Sequence, residues 1–139
     1  EGLPDELKDL GGWVVAKPST DLAESPFVVV VLRPAGDESF EPTMIWLEER
    51  VFSADQKKYT SKVFDVMNLP KVKKNQRLVL GGQCHLDGKP DSRFFAVAVY
   101  EDKEYFTNLL KAWKVNVEAK KFESAKIDRI KCENLEYGL

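Results

Sequence analysis

The sequence predicts an α+β chain that is mainly β. The expected architecture is an antiparallel sheet of five to seven strands, a short N-terminal helix, and one later helix, about 103–114, packed on the sheet. Three observations carry this. Phe27 to Leu32 contains four consecutive valines, and β-branched side chains crowd a helix but pack well on a pleated sheet. Asp87-Gly88 is a strong turn dipeptide, favoured in two-residue hairpins because Gly tolerates positive φ. Phe106, Leu109, Leu110 and Trp113 follow the i, i+3, i+4, i+7 spacing of a helix with one face on a sheet. The hairpin spacings leave no room for regular βαβ crossovers, so a parallel nucleotide-binding sheet is not expected.

The elements follow in order. Leu3 to Leu10 reads as the short helix, with Asp5 and Glu6 where negative charge suits the dipole and Gly11-Gly12 as its stop. Trp13 to Ala16 is a short apolar strand, and Pro18 to Pro26, with two prolines, a loop. Phe27 to Leu32 is apolar on both faces, as in a central strand covered on both sides. Arg33 to Asp37 is a turn. Glu41 to Phe52 admits helix or strand, and Thr43, Ile45, Val51 and the preceding Pro42 favour strand. Ser53 to Lys58 is a polar connection, and Tyr59 to Met67 a strand ended by Asn68-Leu69-Pro70. Lys71 to Arg77 is a solvated loop. Leu78 to Leu80 opens a strand expected to continue past Gly81-Gly82 to Cys84, the glycines marking a bulge or a close backbone approach. Phe94 to Tyr100 is a strand, and Asp102 caps the helix that begins at Lys103. Lys121 to Ser124 and Arg129 to Glu133 are two short strands before a tail.

The chain of 139 residues is the length of a single domain, 1–139, with no linker or repeat. With 43% apolar residues and a net charge of −2, it does not have the composition of a disordered chain. The longest apolar run, Phe27 to Leu32, is far short of the roughly 20 residues a membrane-crossing helix needs. Two Cys and one His cannot fill a zinc ribbon. The chain begins at Glu1 without an initiator Met, which fits either removal of a segment or trimming. No signal peptide is present to be read.

Candidate chemistry is sparse. Gly81-Gly82 lacks the rest of a phosphate loop. The single histidine, His85, follows Cys84, and adjacent strand residues point to opposite faces, so a Cys/His catalytic pair is not expected. His85, Asp87 and Asp91 cluster, but without a calcium-loop pattern; Asp beside Gly and Pro also serves an ordinary turn. Glu48-Glu49 and Glu101-Asp102 are adjacent carboxylates of the kind a hydrolase pairs, although any acid-rich chain contains such neighbours. Lys71, Lys73, Lys74 and Arg77 form a basic run. The C-terminal third is basic too, with Lys111, Lys114, Lys120, Lys121, Lys126, Arg129 and Lys131 among Tyr105, Phe106, Trp113 and Phe122. An oligonucleotide-binding barrel uses such a mixture, but acidic residues dilute the charge and the helix face already accounts for Phe106 and Trp113. No metal or cofactor is called for. Cys84 and Cys132 suit a disulfide staple; the alternative is two unrelated buried thiols.

The last third reads Asp102-Lys103-Glu104-Tyr105-Phe106-Thr107, Ala112-Trp113-Lys114, Lys121-Phe122-Glu123 and Ile130-Lys131-Cys132-Glu133-Asn134, followed by Tyr137-Gly138. With Cys84 and Asp87-Gly88-Lys89-Pro90-Asp91, it resembles the ending of small exported proteins of Gram-negative bacteria, in which an Ala-Trp pair precedes a Phe and a late Cys-x-Asn. The resemblance implies a periplasmic address and pairing of the two cysteines. It brings no active site with it.

The leading functional expectation is a non-catalytic periplasmic or secreted domain that binds another protein, as an accessory subunit, a hydrolase inhibitor or an immunity-type protein. Trp46, beside Glu48 on an alternating strand, is the candidate surface aromatic, with core packing as its ordinary alternative. His85, Asp87 and Asp91 are further candidate contacts. The competing classes are a small-ligand or carbohydrate binder and a single-strand nucleic-acid binder.

Overall fold

The computed structural model describes residues 6–36, 41–55 and 57–139. Twelve strands run through them: β1 Leu7–Val14, β2 Phe27–Pro34, β3 Met44–Phe52, β4 Tyr59–Asn68, β5 Gln76–Val79, β6 Cys84–Leu86, β7 Lys89–Pro90, β8 Phe94–Val99, β9 Tyr105–Phe106, β10 Leu109–Asn116, β11 Lys121–Ala125 and β12 Ile130–Glu133. The helical content of the described residues is a single 3₁₀ turn, Leu22–Glu24, capped by the Asp21 side chain. No described helix is long and apolar enough to cross a membrane.

The strands form three antiparallel sheets of four. A meander sheet has the order β1-β2-β3-β4, a middle sheet β11-β10-β8-β5, and a cap sheet β7-β6-β12-β9. The middle sheet is covered on both faces. Phe95, Val97, Trp113 and Val115 pack with Trp13, Val15, Val29, Ile45 and Leu47 of the meander side. Phe94, Ala96, Ala98, Leu109 and Ala112 pack with Cys84, Phe106, Ile130 and Cys132 of the cap side. Adjacent strand residues point to opposite faces, so a strand in the central layer must be apolar at every position. This is why Phe94–Val99 reads as an unbroken apolar run and is buried almost throughout.

Both expected α-helices are corrected. Phe106, Leu109, Leu110 and Trp113 do not share a helix face: Phe106 lies in β9 of the cap sheet and the other three in β10 of the middle sheet. The register of β10 against β8 slips between Leu109 and Lys111. That bulge adds one residue, so Leu109 and Ala112, three apart, both face the cap sheet. Trp113 then faces the meander sheet. A bulged strand buried on both faces thus reproduces helical spacing. At the N-terminus, Leu7 to Leu10 belong to β1, while Leu3 to Asp5 lie outside the described residues. Gly11-Gly12 forms a bulge, not a helix stop: the register slips between Asp9 and Gly12, Gly11 has φ +105°, and its N–H donates to Asp9 Oδ1. Ladder pairing with β2 outweighs the weak signal of two acids near a helix start.

The expected single sheet of five to seven strands is also corrected. The predicted strand through Gly81-Gly82 breaks there. Both glycines have positive φ, and the chain turns from β5 in the middle sheet to β6 in the cap sheet. The Asp87-Gly88 hairpin is present, with Leu86 opposite Lys89 and positive φ at both turn residues. Asp37, the end of the expected turn after β2, lies outside the described residues.

Gly12 is required for a different reason. A Cβ there would meet the Val29 carbonyl oxygen at 2.1 Å, which belongs to the backbone of the neighbouring strand. Gly12→Ala is expected to cost about 2–3 kcal/mol as β1 is pushed off β2. Gly36→Ala, which enters open space, is expected to change stability by less than about 0.5 kcal/mol. Urea midpoints for the two variants check this; equal midpoints would refute the close approach.

Candidate functional site

The outer face of the meander sheet, the one turned away from the middle sheet, collects the side chains best suited to recognition. Register places Gly12, Val30, Trp46 and Val66 in one cross-strand row, and Val14, Val28, Glu48 and Val63 in the next. Val28, Val30 and Leu32 form a cluster with Leu7, Met44 and Trp46, all residues of this sheet. Along β4 and at the β3–β4 hairpin the face opens: Val63 is 40% exposed, Val66 52%, Phe52 55% and Tyr59 50%.

A chain of contacts runs down β3 on this face. Trp46 Nε1 donates to Glu48 Oε1 at 2.9 Å, and Arg50 Nε donates to Glu48 Oε2 at 2.7 Å. The Arg50 guanidinium stands over the Tyr59 ring at 5.0 Å, and Tyr59 packs on Phe52 with ring centroids 5.4 Å apart. Glu48 is buried, and a buried carboxylate is tolerated because both its oxygens are paired. It holds the indole and the guanidinium in fixed positions. Beside them, Gly11 and Gly12 withhold side chains and leave a groove of about 260 Å³ bordered by Val28, Val30, Arg50 and Asp9.

Among the predicted residues, Trp46 lies on this face, half-buried. Its indole packs at the cluster while its ring nitrogen turns to Glu48. The others lie elsewhere and do not converge. Cys84 and Cys132 are fully buried, directly opposite each other in β6 and β12, and joined by a disulfide. His85 is buried in the cap sheet; its Nε2 lies 2.9 Å from Glu133 Oε2 and its ring meets Tyr105 edge-on, while Nδ1 has no hydrogen-bond partner. Asp87, at the β6–β7 turn, is bound by Arg129, which holds its carboxyl below the usual range. Asp91 is buried and accepts two bonds from the Arg93 guanidinium, an arrangement that raises the arginine's pKa. Among the described residues no three His, Cys, Asp or Glu side chains gather as metal ligands.

The adjacent carboxylates diverge as well. Glu49 pairs with Lys120, away from Glu48. Glu101 accepts the Thr107 and Asn108 amides and pairs with Lys103, which lowers its pKa to about 2. In the basic run, Lys71, Lys73 and Lys74 are exposed. Arg77 is bound to Glu136 and covers the Tyr100 ring at 4.7 Å, so that cation and that ring are engaged with the chain itself.

A separate trough of about 540 Å³ is walled by Trp13, Val14, Leu22, Pro90, Gly81 and Gly82. Its main polar groups are already satisfied internally. Trp13 Nε1 donates to Ser92 O, and Ser92 Oγ bonds both the N–H and the carbonyl of Ala16.

Trp46 is legible in the sequence as a candidate contact, whereas Arg50, Phe52, Tyr59, Val63 and Val66 are not. Val63 and Val66 lie three apart, which strict alternation puts on opposite faces; the bulge at Phe64 brings them to one. Comparison with protein-family models, with curated proteins and with solved structures finds no match.

Proposed function

We propose that this chain is a non-catalytic interaction domain and that the outer face of the meander sheet is where a partner protein docks. The observation that carries the reading is the row Trp46–Glu48–Arg50–Tyr59–Phe52, set among exposed valines. Trp, Tyr and Arg are the residue types that dominate binding energy at protein interfaces. Here all three are held in place before any partner arrives, which reduces the ordering cost of association. Contiguous exposed apolar surface beside them marks an interaction site. An accessory subunit, an inhibitor or an immunity-type protein would use such a face. An exported address, periplasmic or secreted, belongs to the same reading and is supported by the buried disulfide.

A small-ligand or carbohydrate binder is the second reading, favoured by the Trp13 trough. The internal satisfaction of that trough's polar groups makes the sheet face the better site.

Val66→Lys tests the reading without touching the core, because Val66 is half-exposed. The chain is immobilised and partners are recovered from an extract of the source cells. Val66→Lys and Tyr59→Ala are each expected to weaken retention of a specific partner by about tenfold or more, as hot-spot truncations do. Lys73→Glu, on the basic loop, is expected to leave it unchanged. Retention that survives both face variants, or that falls only with Lys73→Glu, would overturn the reading.

A further inference from the structure

Strand β4 leaves the meander sheet with an open edge, whose hydrogen-bond phase is set at the β3–β4 hairpin. Ser53 N–H donates to Lys58 O at the neck of the β3–β4 hairpin, so that pair is hydrogen-bonded. Antiparallel ladders alternate bonded and non-bonded pairs. Arg50 N–H donates to Pro26 O, away from β4, as the alternation requires. The pairs Phe52–Tyr59, Arg50–Ser61 and Glu48–Val63 are therefore the non-bonded ones. The backbone N–H and C=O groups of Tyr59, Ser61 and Val63 point outward, away from β3. The middle sheet meets β4 further along, where Phe122 N–H donates to Asp65 Oδ2, and through Lys120, just before β11, which lies over the Phe64 ring at 4.4 Å.

Lysines predominate among the exposed charged side chains at the hairpin end of this edge. Lys57, Lys58 and Lys62 are exposed, and among the described residues none of them is in an ion pair. Of the nearby carboxylates, Glu48 is paired with Arg50 and Glu49 with Lys120, while Asp55 is held by Ser53 and the Lys57 amide and Asp65, further along β4, by the Val66 and Phe122 amides. Tyr59 and Val63 lie on the outer face, whereas Lys62 lies on the opposite one.

We propose that this edge takes an extended, acidic segment of the partner protein as a fifth strand. The proposal rests on the protein-binding reading above. Backbone hydrogen bonds to Tyr59, Ser61 and Val63 supply affinity, and the flanking side chains supply selectivity, as in other strand additions. The selected pattern is alternating: apolar side chains against Tyr59 and Val63, carboxylates toward Lys62. A second copy of this chain is disfavoured as occupant, because it would bring three more lysines to the same seam.

The probe is a peptide of about eight residues alternating valine and glutamate, a length typical of a strand. Its binding to the whole chain is followed through amide resonances and hydrogen exchange. The Tyr59, Ser61 and Val63 amides are expected to shift and gain protection, with affinity falling as salt rises. Ser61→Pro removes an outward N–H, a position where an edge strand tolerates proline, and is expected to weaken binding about tenfold or more. Lys62→Glu leaves the backbone intact; it is expected to weaken the acidic peptide and admit one alternating valine and lysine. No binding of the glutamate peptide, equal binding of the lysine peptide by the unaltered chain, or binding indifferent to both variants would overturn the proposal. If partner retention falls with Val66→Lys but not with Ser61→Pro or Lys62→Glu, the edge proposal fails alone. If no variant affects retention, the docking reading fails with it.

Discussion

Removing the Cys84–Cys132 bridge is expected to lower stability by about 4 kcal/mol. The sequence separation is 48 residues, and the chain-entropy cost of leaving a loop of that size open is of this order. The native side adds to the expectation. The bridge lies in the β6–β12 ladder, which has only three registered pairs, Leu86–Ile130, His85–Lys131 and Cys84–Cys132. The other strands of the cap sheet, β7 and β9, have two residues each. Such short ladders are weak by themselves, and the disulfide ties them together where they cover Phe94, Ala96 and Ala112 of the middle sheet. Cys84→Ser with Cys132→Ser, compared with the oxidised chain in urea, measures the loss. Amide exchange should show the β6 and β12 protons losing protection before those of β2 and β3. A loss under about 1 kcal/mol would mean that packing alone holds the cap sheet.

How much of this was legible in the sequence differs from layer to layer. The apolar run of β8 announced itself because a strand between two layers needs apolar residues at every position. The valine run of β2 announced a strand, although its outward Val28, Val30 and Leu32 are covered by Leu7, Met44 and Trp46 of their own sheet and not by a second layer. The Asp87-Gly88 turn was legible because two positive-φ positions favour those residue types. The helix expected over 103–114 failed for a reason no local pattern reveals. A bulge in β10 shifted the phase by one residue, and Phe106 belonged to another sheet. The two-residue strands β7 and β9 carry too few side chains to show any period.

The candidate site was less legible than the fold. Trp46 was singled out from its alternation with Glu48, and it lies on the outer face of the meander sheet. Its neighbours there come from β1, β2 and β4, and only register brings Gly12, Val30 and Val66 into its row. His85, Asp87 and Asp91 are close in sequence, yet each is held by a different partner: Glu133, Arg129 and Arg93. Nearness along the chain did not become convergence, because the hairpin turns Asp87 outward while Asp91 is buried beyond it.

Phe95→Ala is expected to cost about 4 kcal/mol, within the range for truncating a fully buried phenylalanine. Phe95 has no exposed surface. Its ring stacks on Trp113 with centroids 5.3 Å apart, and meets Trp13 at 6.1 Å and Phe122 at 6.0 Å edge-on. It therefore joins the meander sheet, through Trp13, to three strands of the middle sheet. The ring contacts are worth more than their area alone, and the cavity left behind cannot collapse without moving two tryptophans. Phe94→Ala, on the cap side, removes a ring outside this aromatic cluster and is expected to cost less. Urea midpoints at constant m-value decide the comparison; equal losses would remove Phe95 from the centre of the fold. The two kinds of variant also separate packing from recognition. With a total stability of about 5–15 kcal/mol, typical of such chains, Phe95→Ala should reduce partner retention only as far as it reduces the folded fraction. Val66→Lys should reduce retention while the urea midpoint stays in place. A Val66→Lys chain that loses both together would move Val66 from the docking face into the core.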